Sequence, residues 1–232
     1  MLPLITRRLI IRDHQPEDAV AMNQLLSNPV AMRYLPDLRT EGMEGTEENL
    51  RQALAENVRT DRRMWFFAII WRGDGTGGAP LLRNNADDLR GVDSSSASYD
   101  SESGEYIGEI GYTLTDITAE GSVAHFGWFI LPKWQGRGIV TEAAREVLRF
   151  AFKEGGALKA ETGCLAENRS SEAVMQKLGM IREALLLKHT AHEGVLKDRV
   201  EYRLLREEWE ATQHQDEEGT SEASVAVQHM PS

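Results

Sequence analysis

One segment constrains this chain more than any other: Leu131-Pro132-Lys133-Trp134-Gln135-Gly136-Arg137-Gly138-Ile139-Val140-Thr141. It follows an apolar run of strand character, Ser122 to Leu131, which Pro132 stops because proline has no N–H for a strand ladder. It precedes a stretch from Val140 to Lys153 in which Val140, Ala143, Ala144, Val147, Leu148 and Ala151 recur at helical spacing, ended by Gly155-Gly156. The segment therefore joins a strand to the N-terminus of the best amphipathic helix in the chain. Gly136 and Gly138 let successive backbone N–H groups turn toward one point without Cβ clashes. The helix start adds unpaired N–H groups and the positive end of its dipole. A phosphorylated ligand suits such a turn, and Arg137 can add a charge-assisted contact. Glycine also occurs at strand-to-helix turns for purely structural reasons. The loop is neither a Walker loop, for want of the Lys-Ser/Thr pair, nor a dinucleotide fingerprint, for want of the third glycine.

Around this junction the pattern alternates between element types. Arg8 to Arg12 reads as a first strand and Pro16 to Leu26 as a helix. Thr46 to Val58 reads as a second helix with Thr46 as its N-cap. Met64 to Trp71 and Tyr106 to Leu114 read as strands. After the central helix come a strand from Leu158 to Leu165, a helix from Ser170 to Leu178 stopped by Gly179, and a closing strand from Lys197 to Leu205. The expected fold is mixed α/β, with a largely antiparallel sheet at its start and a crossover helix near the centre. Residues 73–103, rich in Gly, Ser, Asn and Asp, read as a flexible insertion in a long hairpin loop, and the chain from 211 to 232 as a disordered acidic tail. The ordered domain is expected to span 1–210.

Charge narrows the partners. The formal net charge is -11. Residues 84–105 carry six acids and one Arg, a net of -5, and residues 207–232 carry seven acids and no Lys or Arg, a net of -7. Removing both leaves the rest near +1. The ordered part thus has no basic patch on which nucleic-acid binding could rest. No stretch approaches the ~20 apolar residues of a membrane span. No signal-peptide pattern opens the chain, so a cytoplasmic protein is expected. A lone cysteine, Cys164, excludes an intramolecular disulfide and a cysteine metal cluster, and no metal is expected.

The loop resembles the Q/R-x-x-G-x-G/A motif of the GNAT N-acetyltransferases through Gln135 and Gly138, with Val140 where Gly or Ala is usual. Further segments carry the resemblance in order over roughly residues 5–209. Thr6 to Arg12 and Leu26 to Pro36 resemble the branch that includes the ribosomal-protein alanine N-acetyltransferases. Asn168-Arg169-Ser170-Ser171, followed by Val174 and Lys177-Leu178-Gly179-Met180, resembles that branch's second cofactor motif, and Glu201 to Trp209 its final strand.

This resemblance implies a sheet splayed at its centre, acetyl-CoA as co-substrate, and direct attack of a primary amine on the thioester in a ternary complex. The amine would be a protein N-terminus or a small molecule, and the protein a monomer or homodimer. It implies a pyrophosphate cradle from Gln135, Gly136, Arg137, Gly138, Ile139, Val140 and Thr141. The N–H groups of Phe129, Ile130 and Leu131 would meet the pantetheine amides and the thioester oxygen, an oxyanion-stabilising arrangement. Asn168 and Arg169 would approach the cofactor, and Ser171 the leaving sulfur; as a plain alternative, Asn168, Ser170 and Ser171 cap a helix and Arg169 is a surface charge. Two bases are open. His125 stands where many relatives carry Glu, and its imidazole suits proton transfer near neutrality. Glu109 is a carboxylate in a mostly apolar strand. No enzyme nucleophile is needed, so Cys164 reads as a buried core residue. The competing readings are a non-catalytic CoA-binding or regulatory protein of the same fold, and a nucleotide-binding protein using the glycine loop.

Overall fold

The computed structural model describes residues 2–73 and 104–213. The expected insertion, apart from Gly73, and the expected tail beyond 213 lie outside the described residues. Residues 206–213 are helical, so order continues past the boundary expected at 210.

In chain order the elements are β1 (Leu4–Ile5), β2 (Leu9–Arg12), α1 (Ala19–Leu26), α2 (Met43–Asn57), β3 (Met64–Trp71), β4 (Glu105–Thr115), β5 (Ser122–Ile130), α3 (Ile139–Lys153), β6 (Ala157–Leu165), α4 (Arg169–Lys177), β7 (Ile181–His192) and β8 (Val195–Leu205). The strands form one sheet in the order β1-β2-β3-β4-β5-β6-β8-β7. Strands β5 and β6 run parallel and are joined through α3, while the other neighbours are antiparallel. A parallel pair needs a crossover, and α3 supplies it. This is the mixed α/β architecture expected from the sequence.

The helices cover both faces. Helix α3 buries Ala143, Ala144, Val147, Leu148 and Ala151 of the stripe its sequence spacing predicts, while Val140 is only half-buried and Ile139 is the buried residue at that end. Its Phe150 meets Trp65 and Phe67 of β3, with ring centroids 5.5 and 6.0 Å apart. Phe67 stands opposite Ile110, so from Gly108 onward the even-numbered residues of β4 face α3. The odd-numbered ones, Glu109 among them, face the start of α1, because side chains alternate along a strand.

The sheet opens at its centre. Strands β5 and β6 pair only over Ser122 to His125 and Ala157 to Glu161. Just beyond, Thr162 Oγ1 donates to the Phe126 carbonyl at 2.8 Å and closes the apex. Gly127 to Ile130 then continue against β4 alone, while β6 continues against β8.

Two local expectations are corrected. Thr46 is not an N-cap. Helix α2 starts after Gly42, whose φ of 115° excludes side chains, and Thr46 lies inside it, fully buried. Its hydroxyl donates to Asn23 Oδ1 at 3.0 Å and pairs with Thr40 Oγ1 at 2.9 Å, so it ties α1 to α2. The closing element is a hairpin, not one strand. Glu193 and Gly194, both with positive φ (49° and 76°), form the two-residue turn that joins β7 to β8. Strand β7 escaped the sequence reading because it is an edge strand with polar residues and two register shifts, which blur its alternation.

Candidate functional site

The glycine loop folds as its sequence requires. Gly136 and Gly138 have φ of 71° and 72°, in the left-handed region that other residues enter at a cost. Gly138 is the N-cap of α3, and no side chain caps that helix. The first-turn N–H groups of Ile139, Val140 and Thr141 have no carbonyl within the helix to bond. A Cβ on Gly136 would meet nothing within 4 Å, so the loop rims open space. Gln135, Gly136, Arg137 and Gly138 are exposed, while Ile139 and Thr141 are buried and anchor the turn. Val140 is half-buried. Its bulk replaces a small residue, but its amide stays in the first turn, so the donor set is intact. Arg137 stacks over the Trp134 ring at 5.1 Å, and Trp134 packs on Trp71 at 4.7 Å.

A clamp that the sequence reading missed holds this loop to the first strands. Glu142, in the first turn of α3, accepts from Thr6 Oγ1 (2.6 Å), the Arg8 N–H (3.0 Å) and Arg8 Nε (2.7 Å). Arg8 also donates to the Arg137 carbonyl at 3.1 Å. Partial burial pushes the Glu142 pKa up, but the hydrogen bonds from Thr6 and Arg8 outweigh it and leave it below the ordinary carboxylate value. Nothing local in the sequence links Thr6 or Arg8 to a residue some 130 positions away.

The splay exposes backbone, though not quite the groups expected. The Leu131 N–H donates to the Ile107 carbonyl at 2.9 Å. With the unbroken β4–β5 register, Phe129–Glu109 is therefore also a hydrogen-bonded pair, and Ile130–Gly108 and Trp128–Ile110 are not. The N–H groups of Phe129 and Leu131 are thus turned to β4, a correction to the expectation. The N–H and C=O of Ile130 and Trp128 point into the splay. Gln135 Nε2 reaches the Ile130 carbonyl there at 3.3 Å.

The two possible bases share the α1 face but differ in surroundings. His125, the last β5 residue paired with β6, is half-exposed, and its Nε2 lies 3.0 Å from Glu161 Oε1. Glu109 stands opposite Phe129 and is 6 % exposed. Tyr106 donates to Glu109 Oε1 at 2.6 Å. Residues three apart on a regular strand face opposite ways. Here a bulge between Ile69 and Ile70 skips Ile107 and brings Tyr106 to the Glu109 side. His14 Nε2 is 3.9 Å from Glu109 Oε2, and His14 Nδ1 is 3.8 Å from Asp18 Oδ2. Asp18 is held by Arg12 through both oxygens at 2.8 Å and by the Gln15 N–H at 2.8 Å. Burial raises the Glu109 pKa; His14 and the Tyr106 hydrogen bond lower it, Asp18 raises it, and the balance stays above the ordinary value. His14, Asp18 and Tyr106 were not singled out in the sequence, since each is unremarked until the fold gathers them.

On the far wall, Asn168 caps α4, its Oδ1 accepting from the Ser171 N–H (3.2 Å) and Ser170 Oγ (2.9 Å). Ser171 is half-buried, and the Cys164 thiol beside it donates to the Asn168 carbonyl at 3.7 Å. Burial, only partly offset by Ser171, pushes the Cys164 thiol up to about 11, which makes it a poor nucleophile. Arg169 is a surface residue bonded to Glu172 at 2.8 Å. Among the described residues no group of His, Cys, Asp and Glu is placed to hold a metal ion, and no helix is long and apolar enough to cross a membrane.

The Acetyltransferase (GNAT) domain family matches residues 8–181. The uncharacterized N-acetyltransferase YnaD of Bacillus subtilis is 28% identical over 206 residues, 89% of this chain and 98% of that protein. Two solved structures share the fold. The microcin self-immunity acetyltransferase MccE, in complex with acetyl-CoA and AMP, superposes with a TM-score of 0.65 at 14% identity, covering 88% of this chain and 99% of its own. The ribosomal-protein-S5-alanine acetyltransferase from Vibrio fischeri does so with a TM-score of 0.63 at 17% identity, covering 87% and 94%.

Proposed function

Since the chain belongs to the GNAT acetyltransferase family and is an acetyl-CoA-dependent acyltransferase, we propose that it transfers acetyl directly to a primary amine in a ternary complex, with Glu109 as the proton acceptor. The observation that carries this reading is the juxtaposition on β4 and β5. A buried carboxylate with a raised pKa stands opposite Phe129, next to the Ile130 and Trp128 N–H groups that point into the splay, at the strand end that leads into the glycine loop.

Acetyl-CoA, when bound, supplies an activated thioester carbonyl. The residues present fit it. The uncapped amides of Ile139, Val140 and Thr141, with the open turn at Gly136 and Gly138, would hold the pyrophosphate. Trp128 and Ile130 would pair with the pantetheine amides, and one of their N–H groups would face the carbonyl oxygen as it becomes negative. Ser171 would donate to the departing sulfur.

Proton removal decides which amine is served. At about pH 7.4 a lysine-type amine costs ~4 kcal/mol to neutralise and an α-amine well under ~1 kcal/mol. Either proton needs an acceptor, and Glu109 is the better placed. It is withdrawn from water and more basic than a solvated carboxylate, whereas His125 is half-exposed and engaged with Glu161. The acceptor class proposed is a peptide α-amine or a small primary amine, since solved structures of the same fold include a ribosomal L7/L12 alpha-N-protein acetyltransferase and a spermidine N-acetyltransferase from Vibrio cholerae.

A thiol-release assay with peptide N-termini, polyamines and amino acids tests the reading. Turnover on at least one primary amine is expected. Tight acetyl-CoA binding with no turnover on any of them would instead favour the non-catalytic CoA-binding protein.

A further inference from the structure

Resting on the reading of Glu109 as proton acceptor, we propose that His14 is a positioning residue that shares the proton of Glu109, with Asp18 backing its imidazole from the other side. His14 lies in the β2–α1 connection and is 3 % exposed. Its carbonyl accepts from Asn57 Nδ2 of α2 at 3.1 Å, which fixes the connection. Its Nδ1 is buried without a hydrogen-bond partner. A buried ring nitrogen left unpaired is costly, and such groups are uncommon in native proteins. Here the ring stands between two carboxylates at 3.8 and 3.9 Å. Both gaps exceed a hydrogen bond by about 1 Å, so a small ring movement closes either one.

The charges around His14 are few and each has a place. Asp18 is clamped by Arg12. Asp13 is paired with Arg62 at 2.8 Å. Tyr106 donates to Glu109 Oε1, so Oε2 is the oxygen left toward His14. Asp18 therefore supports a positive imidazole, and a positive imidazole supports an ionised Glu109.

The reaction leaves a net proton for such a partner to share. In becoming an amide, an ammonium group loses two protons. One leaves first to free the nitrogen lone pair. The other leaves as the N–C bond forms and the C–S bond breaks, with the sulfur taking up one proton. A single carboxylate holds one. The sulfur's uptake balances one of the two, so a net proton stays on Glu109, and a buried imidazole beside it shares that proton without opening the site to water.

The test is the pH profile of kcat/KM for the wild type, Glu109→Gln and His14→Gln, with the amine that gives turnover, alongside the acetyl-CoA Kd. Activity rises as Glu109 deprotonates. His14→Gln removes a group that favours ionised Glu109, so the acid limb should move upward by roughly one pH unit and turnover at neutral pH should fall about tenfold, with Kd unchanged. A His14→Gln enzyme with wild-type turnover and an unmoved acid limb, beside an inactive Glu109→Gln, would overturn the proposal and leave the Glu109 reading intact. Full activity in Glu109→Gln would overturn that reading itself. A second measurement does not depend on the His14 variant folding: in ¹⁵N-histidine-labelled protein, the His14 ring should titrate at lower pH in Glu109→Gln than in the wild type. An identical titration in both overturns the coupling.

Discussion

Glu142 and Glu109 are both acidic side chains drawn out of solvent at the edge of the same cleft, and the protein treats them in opposite ways. Glu142, at the start of α3, receives the Thr6 hydroxyl, the Arg8 N–H and the Arg8 guanidinium, and its pKa is lowered. Glu109 receives one strong hydrogen bond, from Tyr106, has His14 beyond bonding range, and its pKa is raised. A saturated carboxylate has no capacity left for chemistry and serves as a clamp. An undersupplied one keeps an oxygen for a proton. On the proposed reading, the glycine-loop side of the cleft is built for rigidity and the Glu109 side for reactivity, with the same functional group.

The sharpest way to break this comparison is Glu109→Gln. Turnover should fall by ~10²–10⁴-fold while the acetyl-CoA Kd, measured by calorimetry, holds steady. A weakened Kd with intact turnover would reverse the roles assigned to the two sides. Next in size is Gly138→Asp, which forces a side chain into the left-handed region and sets a carboxylate at the phosphate cradle. Acetyl-CoA affinity should drop about 100-fold in a folded protein. Glu142→Ala should destabilise the fold by about 2 kcal/mol in urea titration, since it strands Thr6 and Arg8, and should loosen the cofactor as a consequence.

Stability against pH separates the two carboxylates by sign. The raised Glu109 pKa means its contribution is fully present below the unfolded-state value and is lost as pH rises through the folded one. The lowered Glu142 pKa means the reverse: its contribution is present above the unfolded-state value and is lost as pH falls through the folded one. Tm measured across the acid-to-neutral range should therefore show Glu109→Gln gaining on the wild type as pH rises, and Glu142→Gln losing its deficit as pH falls. The smallest effect is expected at His125→Gln, where turnover should change by less than about threefold because the ring is half-exposed and engaged with Glu161. A large loss there would move the base to the apex of the splay.

Much of the cradle was legible in the sequence because it is local. Strand, proline stop, paired glycines and an amphipathic helix follow one another within a few turns, and each signal acts on its own neighbours. The same holds for Asn168, whose capping role needs only the next three residues. Two errors came from partners the chain does not announce. Thr46 looked like a cap until Asn23 and Thr40 claimed its hydroxyl. The N–H groups of Phe129 and Leu131 looked free until the β4 register took them. Parity along a strand is plain from sequence, but which parity faces the neighbouring strand is set by the neighbour.

The sequence by itself determined the element types, the crossover at α3, the glycine turn and the family likeness, all written in spacings of a few residues. Only the tertiary structure decided where the sheet opens, that Arg8 clamps the glycine loop through Glu142, and that His14, Asp18 and Tyr106 surround Glu109. Those are contacts between residues distant in the chain, and a proton acceptor's strength depends on burial and neighbouring charge, which exist only once the chain has folded.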